Sequence, residues 1–252
     1  MTNALNTISM HAIAMARTPY KQKFGIPRQP GLAPAVTGVI DILPPFNRPE
    51  AFSGIEQFSH LWIEFFFNQT SDLTAQERIA KWKPSVRPPR MGGNAKTGCF
   101  ATRSNFRPNG IGLSVVAFKG IEISGSSIQL KIAEHDLLDG TPILDIKPYI
   151  PYSDAKPTAS AGIYTQQPEH AFSVTFTQEA RQQLKYYQNE LTELELIITQ
   201  VLQQDPRPAY MKDSAPNKQF TVRLFHLDIS WRVASSVEGT IVVDELQPYS
   251  DI

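Results

Sequence analysis

Residues 58–67 read FSHLWIEFFF, and their alternation decides the fold. Leu61, Ile63, Phe65 and Phe67 fall on one side, and His60, Trp62, Glu64 and Phe66 on the other. Side chains in a strand alternate between faces, so the segment predicts a strand with one wholly apolar face, as a barrel or sandwich core requires. Working outward, short strands are predicted over 35–42, 98–102, 113–121 and 127–133, each bounded by Gly, Pro, Asn or Ser. Several short strands without intervening helices predict an antiparallel β architecture. Residues 68–81 are the exception, where Ser71 or Asp72 stands ready to cap a short amphipathic helix.

The pattern changes after KPYIPYSDAKP, where Pro148, Pro151 and Pro157 favour an extended connector. A domain boundary near Asp154 is expected, dividing the chain into 1–154 and 155–252. Thr177 opens a helix with Ala180, Leu184 and Leu191 at helical spacing, and Leu194, Ile197, Ile198 and Val201 form a second apolar stripe. DPRP at 205–208 stops that helix. Phe225, Leu227, Ile229, Trp231 and Val233 then alternate, and TIVVDEL supplies a partner strand. The second part reads as a small α+β unit.

The chain is formally neutral, with 24 basic and 24 acidic residues, yet from Arg78 to Ile121 it carries nine Lys or Arg and no Asp or Glu. That segregation predicts an anionic partner. Arg87, Arg90, Arg103 and Arg107 sit among Pro, Gly and Asn, a setting of guanidinium groups and free backbone N–H donors that suits phosphate or carboxylate. No window approaches the length needed to span a bilayer, and the N-terminus lacks the pattern of a secretion leader, so no membrane role and a cytoplasmic location are expected. Cys99 is the only cysteine, which excludes an intrachain disulfide or a multi-cysteine metal site and reads as a small buried hydrophobe. The five histidines show no metal-ligand spacing, and no metal is expected. Gly110-Ile111-Gly112 lacks the third glycine of a dinucleotide fingerprint, and Cys99 and Phe100 stand where a P-loop needs Lys and Ser or Thr.

What remains is a set of polar motifs at strand ends. Arg28 and Gln29 in PRQPG offer a carboxylate clamp and an amide, Asn68-Gln69 adds two amides, and Asp136, Asp139 and Asp145 flank a Gly140-Thr141-Pro142 turn where carboxylates can accept from hydroxyls.

RTPYKQKFGIPRQPG, FSHLWIEFFFNQT, RPPRMGGNAKTGCFATRSNFRPNGIGLS, DLLDGTPILDIKPYIPY and DPRPAY together resemble the TsaA-type or TrmO family of tRNA methyltransferases. The resemblance covers nearly the whole chain. It implies an N-terminal β-barrel that binds S-adenosylmethionine, a smaller C-terminal domain, a homodimer, and methylation of N6 of threonylcarbamoyladenosine immediately 3′ of the anticodon, in threonine tRNA. The family's donor-binding motifs fall on Pro27, Arg28, Gln29, Asn68, Gln69, Arg103, Leu113, Asp136, Leu137, Leu138 and Asp139. Asn68 stands where many relatives carry His, Gly110 where Pro usually follows FRPN, and Met211 where a basic residue is frequent.

The expected reaction is in-line displacement, with the nucleobase nitrogen attacking the activated methyl while the protein supplies mainly positioning. That nitrogen is urea-like and must lose a proton, so a general base helps, and His135, Asp136 and Asp139 are the candidates. Arg87, Arg90, Lys96 and Arg107 are expected on phosphates of the anticodon stem-loop, and Phe100, Phe106 or Trp82 on an unstacked base. A non-catalytic sensor of S-adenosylmethionine or a nucleoside, and a general single-strand RNA binder, stay open as other classes.

Overall fold

The computed structural model describes residues 8–70, 74–88, 96–164, 172–207, 218–234 and 239–249. Chain order runs β1 (Ala14–Arg17), β2 (Thr37–Ile42), β3 (His60–Phe66), α1 (Ala75–Ala80), β4 (Ser85–Val86), β5 (Thr97–Gly98), β6 (Ile111–Ser124), β7 (Ser127–Ala133) and β8 (Pro142–Pro148). Six of these close an antiparallel barrel in the order β1-β2-β7-β6-β3-β8, leaving β4 and β5 as a separate hairpin. The alternation that defines β3 is observed: Leu61 and Ile63 are fully buried and Phe65 nearly so, all in the barrel core with Ile40, Val116, Leu130, Ile132 and Ile143. On the outer face Trp62 donates to Asp154 at 2.8 Å and Glu64 pairs with Lys147 at 2.8 Å.

Three local expectations change. The strand expected over 98–102 shortens to Thr97–Gly98 and gives way to a helical turn, because the Thr102 hydroxyl bonds the Cys99 carbonyl and Arg107 bonds the Thr102 carbonyl. The cap of α1 is Thr74, whose hydroxyl accepts from Glu77 N–H while Glu77 bonds back to the Thr74 backbone; Ser71 and Asp72 lie outside the described residues. The connector is not wholly extended: Pro151 opens the short helix α2 (Pro151–Asp154), a first-turn position where the missing N–H costs nothing.

Beyond it come β9 (Ser173–Phe176), α3 (Gln178–Tyr187), α4 (Leu194–Leu202), β10 (Gln219–Leu224), β11 (Leu227–Val233) and β12 (Thr240–Pro248). Thr177 caps α3 as expected, with Ala180 and Leu184 buried, but the helix ends at Tyr187, so Leu191 lies beyond it and packs on the same core from the following turn. The strands form a sheet ordered β10-β11-β12-β9, with β9 parallel to β12. The predicted stripe of α4 is buried against Trp231, Ile229 and Val243 of this sheet. That second core also takes in Tyr20, Ala33 and Val36 from the connection between β1 and β2.

Candidate active site

Antiparallel neighbours place the connections 18–36, 67–110 and 134–141 at the same end of the barrel, since they join β1 to β2, β3 to β6 and β7 to β8. Every residue expected to bind the donor except Leu113 lies on one of these three, and Leu113 is near the start of β6. Long-range bonds stitch them together. Gly31 N–H donates to the Glu134 carbonyl at 2.8 Å, Asn68 Nδ2 to the Gly140 carbonyl at 3.1 Å, and Lys23 to the Gln69 carbonyl.

At the centre, Arg103 Nη1 donates to Gln29 Oε1 at 2.6 Å, and Asp136 accepts from the Ser114 hydroxyl. Burial pushes the Asp136 carboxyl up to about 6, while the Ser114 hydroxyl, its own backbone N–H and the Arg103 charge pull it down. Asp136 nevertheless keeps part of its surface open to solvent. A carboxylate that titrates near neutrality beside an exposed guanidinium can both take a proton and face a charged ligand.

The geometry separates the three base candidates. His135 is 1% exposed, its Nε2 has no hydrogen-bond partner, its ring meets Tyr20 edge-on at 5.5 Å, and burial lowers it to about 4 against the pull of the Thr37 backbone. It is a neutral ring enclosed in protein. Asp139 has both oxygens engaged, Oδ1 by Thr18 N–H at 2.8 Å and Oδ2 by Lys21 at 2.7 Å, so it clamps the start of the 18–36 connection. Asp136 is left as the candidate that can reach a ligand.

The remaining expected residues divide in the same way. Arg28 is exposed, Gln29 half-buried and Pro27 buried; Leu113 is 49% exposed on the outer side of β6. Leu137 is fully buried in the barrel core, so only its backbone reaches outward, its carbonyl accepting from the Thr18 hydroxyl at 2.9 Å. Leu138 is half-buried. Arg87 and Lys96 are exposed at the β4–β5 hairpin, and Arg90 and Met211 lie outside the described residues. Arg107 spends part of its donor capacity on Thr102, at 2.8 Å, and rests over the Phe100 ring at 5.8 Å. Phe100 and Phe106 are 70% and 59% exposed, whereas Trp82 is half-buried against Phe100.

Sequence reasoning missed Ser114, Tyr20 and the burial of Arg78, which lies over Phe66 at 5.1 Å. The signal for Ser114 was present: it is the polar residue at an inward register of β6, between Gly112 and Val116. A groove of about 720 Å³ lies elsewhere, on the barrel wall facing the C-terminal sheet, lined by Arg17, Lys21, Lys119, Lys131, Glu190 and His226. Arg17, Lys21 and Lys131 are neutralised there by Asp41, Asp139 and Glu122. Size alone does not make that groove the site.

Two sequence profiles match this chain: the tRNA-methyltransferase O N-terminal domain over residues 15–155 and the TrmO C-terminal domain over 169–249. The chain thus belongs to the class of tRNA methyltransferases. More narrowly, the chain belongs to the tRNA-methyltransferase O family. It is 43% identical over 232 residues to the tRNA (adenine(37)-N6)-methyltransferase of Escherichia coli K12, covering 92% of this chain and 96% of the relative. It is 45% identical over 226 residues to a putative S-adenosylmethionine-dependent methyltransferase, RcsF, of Pseudomonas aeruginosa, covering 89% and 92%. The crystal structure of TrmO from Pseudomonas aeruginosa superposes with a TM-score of 0.78 at 38% identity, over 98% of this chain and 100% of that one.

Proposed function

We propose that this enzyme methylates N6 of threonylcarbamoyladenosine immediately 3′ of the anticodon in threonine tRNA, acting in the cytoplasm as a homodimer. It is a tRNA methyltransferase, and S-adenosylmethionine is its methyl donor. The observation that carries the reading is the convergence of Gln29, Arg103, Ser114 and Asp136 at the one barrel end whose long connection holds the acid-free basic tract. The chain divides near Asp154 into the donor-binding barrel and the smaller α+β unit, a division supported by where the two profiles stop and start.

The groups present fit the donor. Arg28 and Arg103 suit its carboxylate, the open leucine at 113 an adenine face, and the partly open Asp136 a cationic or hydroxyl-bearing part. Bound there, S-adenosylmethionine supplies an electrophilic methyl group on a sulfonium. Gln29 holds Arg103 in register, while Pro27 stiffens the loop that presents Arg28 and Gln29. Asn68, Asp139 and the backbones of Gln69 and Leu137 tie the loops to one another, and the side chains of Gln69 and Leu138 are left to line the donor. Asp136 takes the proton that the attacking nitrogen must lose, its raised pKa bringing it close to the working pH. Arg87 and Lys96 meet phosphates of the anticodon stem-loop, with Arg90 and Arg107 as further cations, and Phe100 offers a face for a splayed base.

Methyl transfer from labelled S-adenosylmethionine to purified tRNA, with and without the threonylcarbamoyl group, followed by nucleoside analysis, tests this. Label confined to the pre-modified adenosine beside the anticodon supports the proposal. Donor binding without transfer to either pool indicates a sensor instead, and label at another nucleoside contradicts the site. The mass of the enzyme in solution tests the homodimer.

A further inference from the structure

The connection that carries Arg28 and Gln29 is held from two sides, and the second side is the C-terminal unit. Gln204 Nε2 donates to the Leu32 carbonyl at 2.9 Å and to the Gln200 carbonyl at 2.8 Å, while Gln200 Oε1 accepts from Ala35 N–H at 2.8 Å. Phe225 N–H donates to the Pro19 carbonyl at 2.8 Å, and Tyr20 bridges to Leu224. Gly25, with a positive φ of 92°, lies so close to β10 that an added Cβ would sit 2.3 Å from Val222 Cγ2. Arg28 Nη2 also approaches the carbonyl of Arg207, at 3.5 Å. That carbonyl belongs to a turn locked by a buried bidentate pair, Arg207 Nε and Nη2 on the two Asp205 oxygens at 2.7 and 3.1 Å.

A second thread runs through the core. Tyr20 is packed with Trp231 and Val222 of the C-terminal sheet, and its ring abuts His135, the neighbour of Asp136. The connection therefore borrows much of its packing from a unit whose described sheet and helices contribute no residue to the central cluster; only Tyr164, ahead of them, touches it, its hydroxyl accepting from Arg103 N–H at 3.3 Å. A loop fixed in its bound conformation before the ligand arrives loses less entropy on binding, so the borrowed contacts act on donor affinity.

We infer that the C-terminal unit is a working part of the donor site, with Gln200 and Gln204 as positioning residues that hold the Arg28–Gln29 loop for S-adenosylmethionine. The inference rests on the donor placement given under Proposed function. Neither glutamine belongs to the basic tract, so their removal acts on the donor and not on RNA.

Calorimetric titration of S-adenosylmethionine into the full-length enzyme without tRNA, alongside tRNA binding without donor, tests it. Gln204→Ala is expected to weaken donor binding by about 5- to 10-fold, the size of one lost hydrogen bond, and to leave tRNA affinity within about twofold. Gln200→Ala should do the same, and Gln204→Glu, which keeps the side-chain volume but places an acceptor against the Leu32 carbonyl, should weaken the donor at least as much. In an Arg28→Ala background the Gln204 effect should fall below about twofold, because residues acting through one contact do not add. An unchanged donor affinity in Gln204→Ala, an equal loss toward tRNA, or the same donor loss in both backgrounds overturns the inference. If Arg28→Ala alone binds the donor normally, the donor placement itself is wrong and the inference falls with it.

Discussion

The two ends of the barrel are built by different means. At the end away from the site, residues 43–59 are closed mostly by local bonds, Phe46 N–H to Leu43, Arg48 to Phe46, Ala51 to Arg48, Gln57 to Gly54 and Phe58 to Ile55, with Leu43 N–H to Ile13 and Asn47 Nδ2 to Ser126 as ties to the strands beside it. At the site end the decisive bonds join residues far apart in the chain, 121 positions for Thr18 to Asp139, 165 for Ala35 to Gln200 and 74 for Arg103 to Gln29. Contacts close in sequence form early, whereas the site end brings together the barrel, the basic connection and the C-terminal unit through contacts distant in sequence. The difference teaches where function is exposed to mutation. A substitution at the quiet end is felt locally, and one at the site end is felt across three connections.

The largest expected effect is on Asp136→Asn, which should lower methyl transfer by at least about 100-fold even at saturating donor, while Arg48→Ala at the quiet end leaves transfer unchanged; steady-state kinetics compares the two. Next comes acid stability. His135 titrates at about 4 in the fold against an ordinary 6.5, so the unfolded chain binds the extra proton in that window. The stability is complete above 6.5 and is lost as pH falls toward 4, by about 3 kcal/mol at most. Asp136, shifted upward, gains stability as pH falls through about 6 and partly offsets the loss. Denaturant midpoints between pH 7 and 4 should therefore fall most steeply in Asp136→Asn, and His135→Leu should flatten the slope.

Gly25→Ala attacks the seam between connection and C-terminal sheet, where both the positive φ and the Val222 contact oppose a side chain. A loss of about 2 kcal/mol is expected from thermal or denaturant unfolding. Removing the guanidinium in Arg103→Ala should weaken S-adenosylmethionine binding by about 10-fold, read by calorimetry, the scale of one charge-assisted bond. The smallest effect is on RNA. Arg87→Ala with Lys96→Ala should reduce the slope of log affinity against log salt by about 1.5, and leave donor affinity as it was.

The fold was legible where the signal is local. The period-2 run of β3, the Thr177 cap and the stripe on α4 are each set by neighbours in sequence, and each is found as read. The turn at 99–101 was not, because it is fixed by the Thr102 hydroxyl and the Arg107 guanidinium, whose choice of partners no propensity encodes. At the site, residue types alone marked Arg28, Gln29, Arg103 and Asp136. They gave no means of ranking Asp136 above Asp139 and His135, because burial and the bonds from Thr18, Lys21 and Ser114 come from other strands. Nor could they announce that Tyr20 belongs to the C-terminal core.

The central claim is that Asp136, raised by burial and steadied by Ser114, is the base at the site end. The measurement that tests it most directly is the pH profile of methyl transfer at saturating donor, for the wild type and Asp136→Asn on threonylcarbamoylated tRNA. The wild-type rate should rise through a limb near 6 to a plateau, and the variant should lie at least about 100-fold lower with that limb absent. An Asp136→Asn enzyme that keeps both the wild-type rate and the limb would contradict the account.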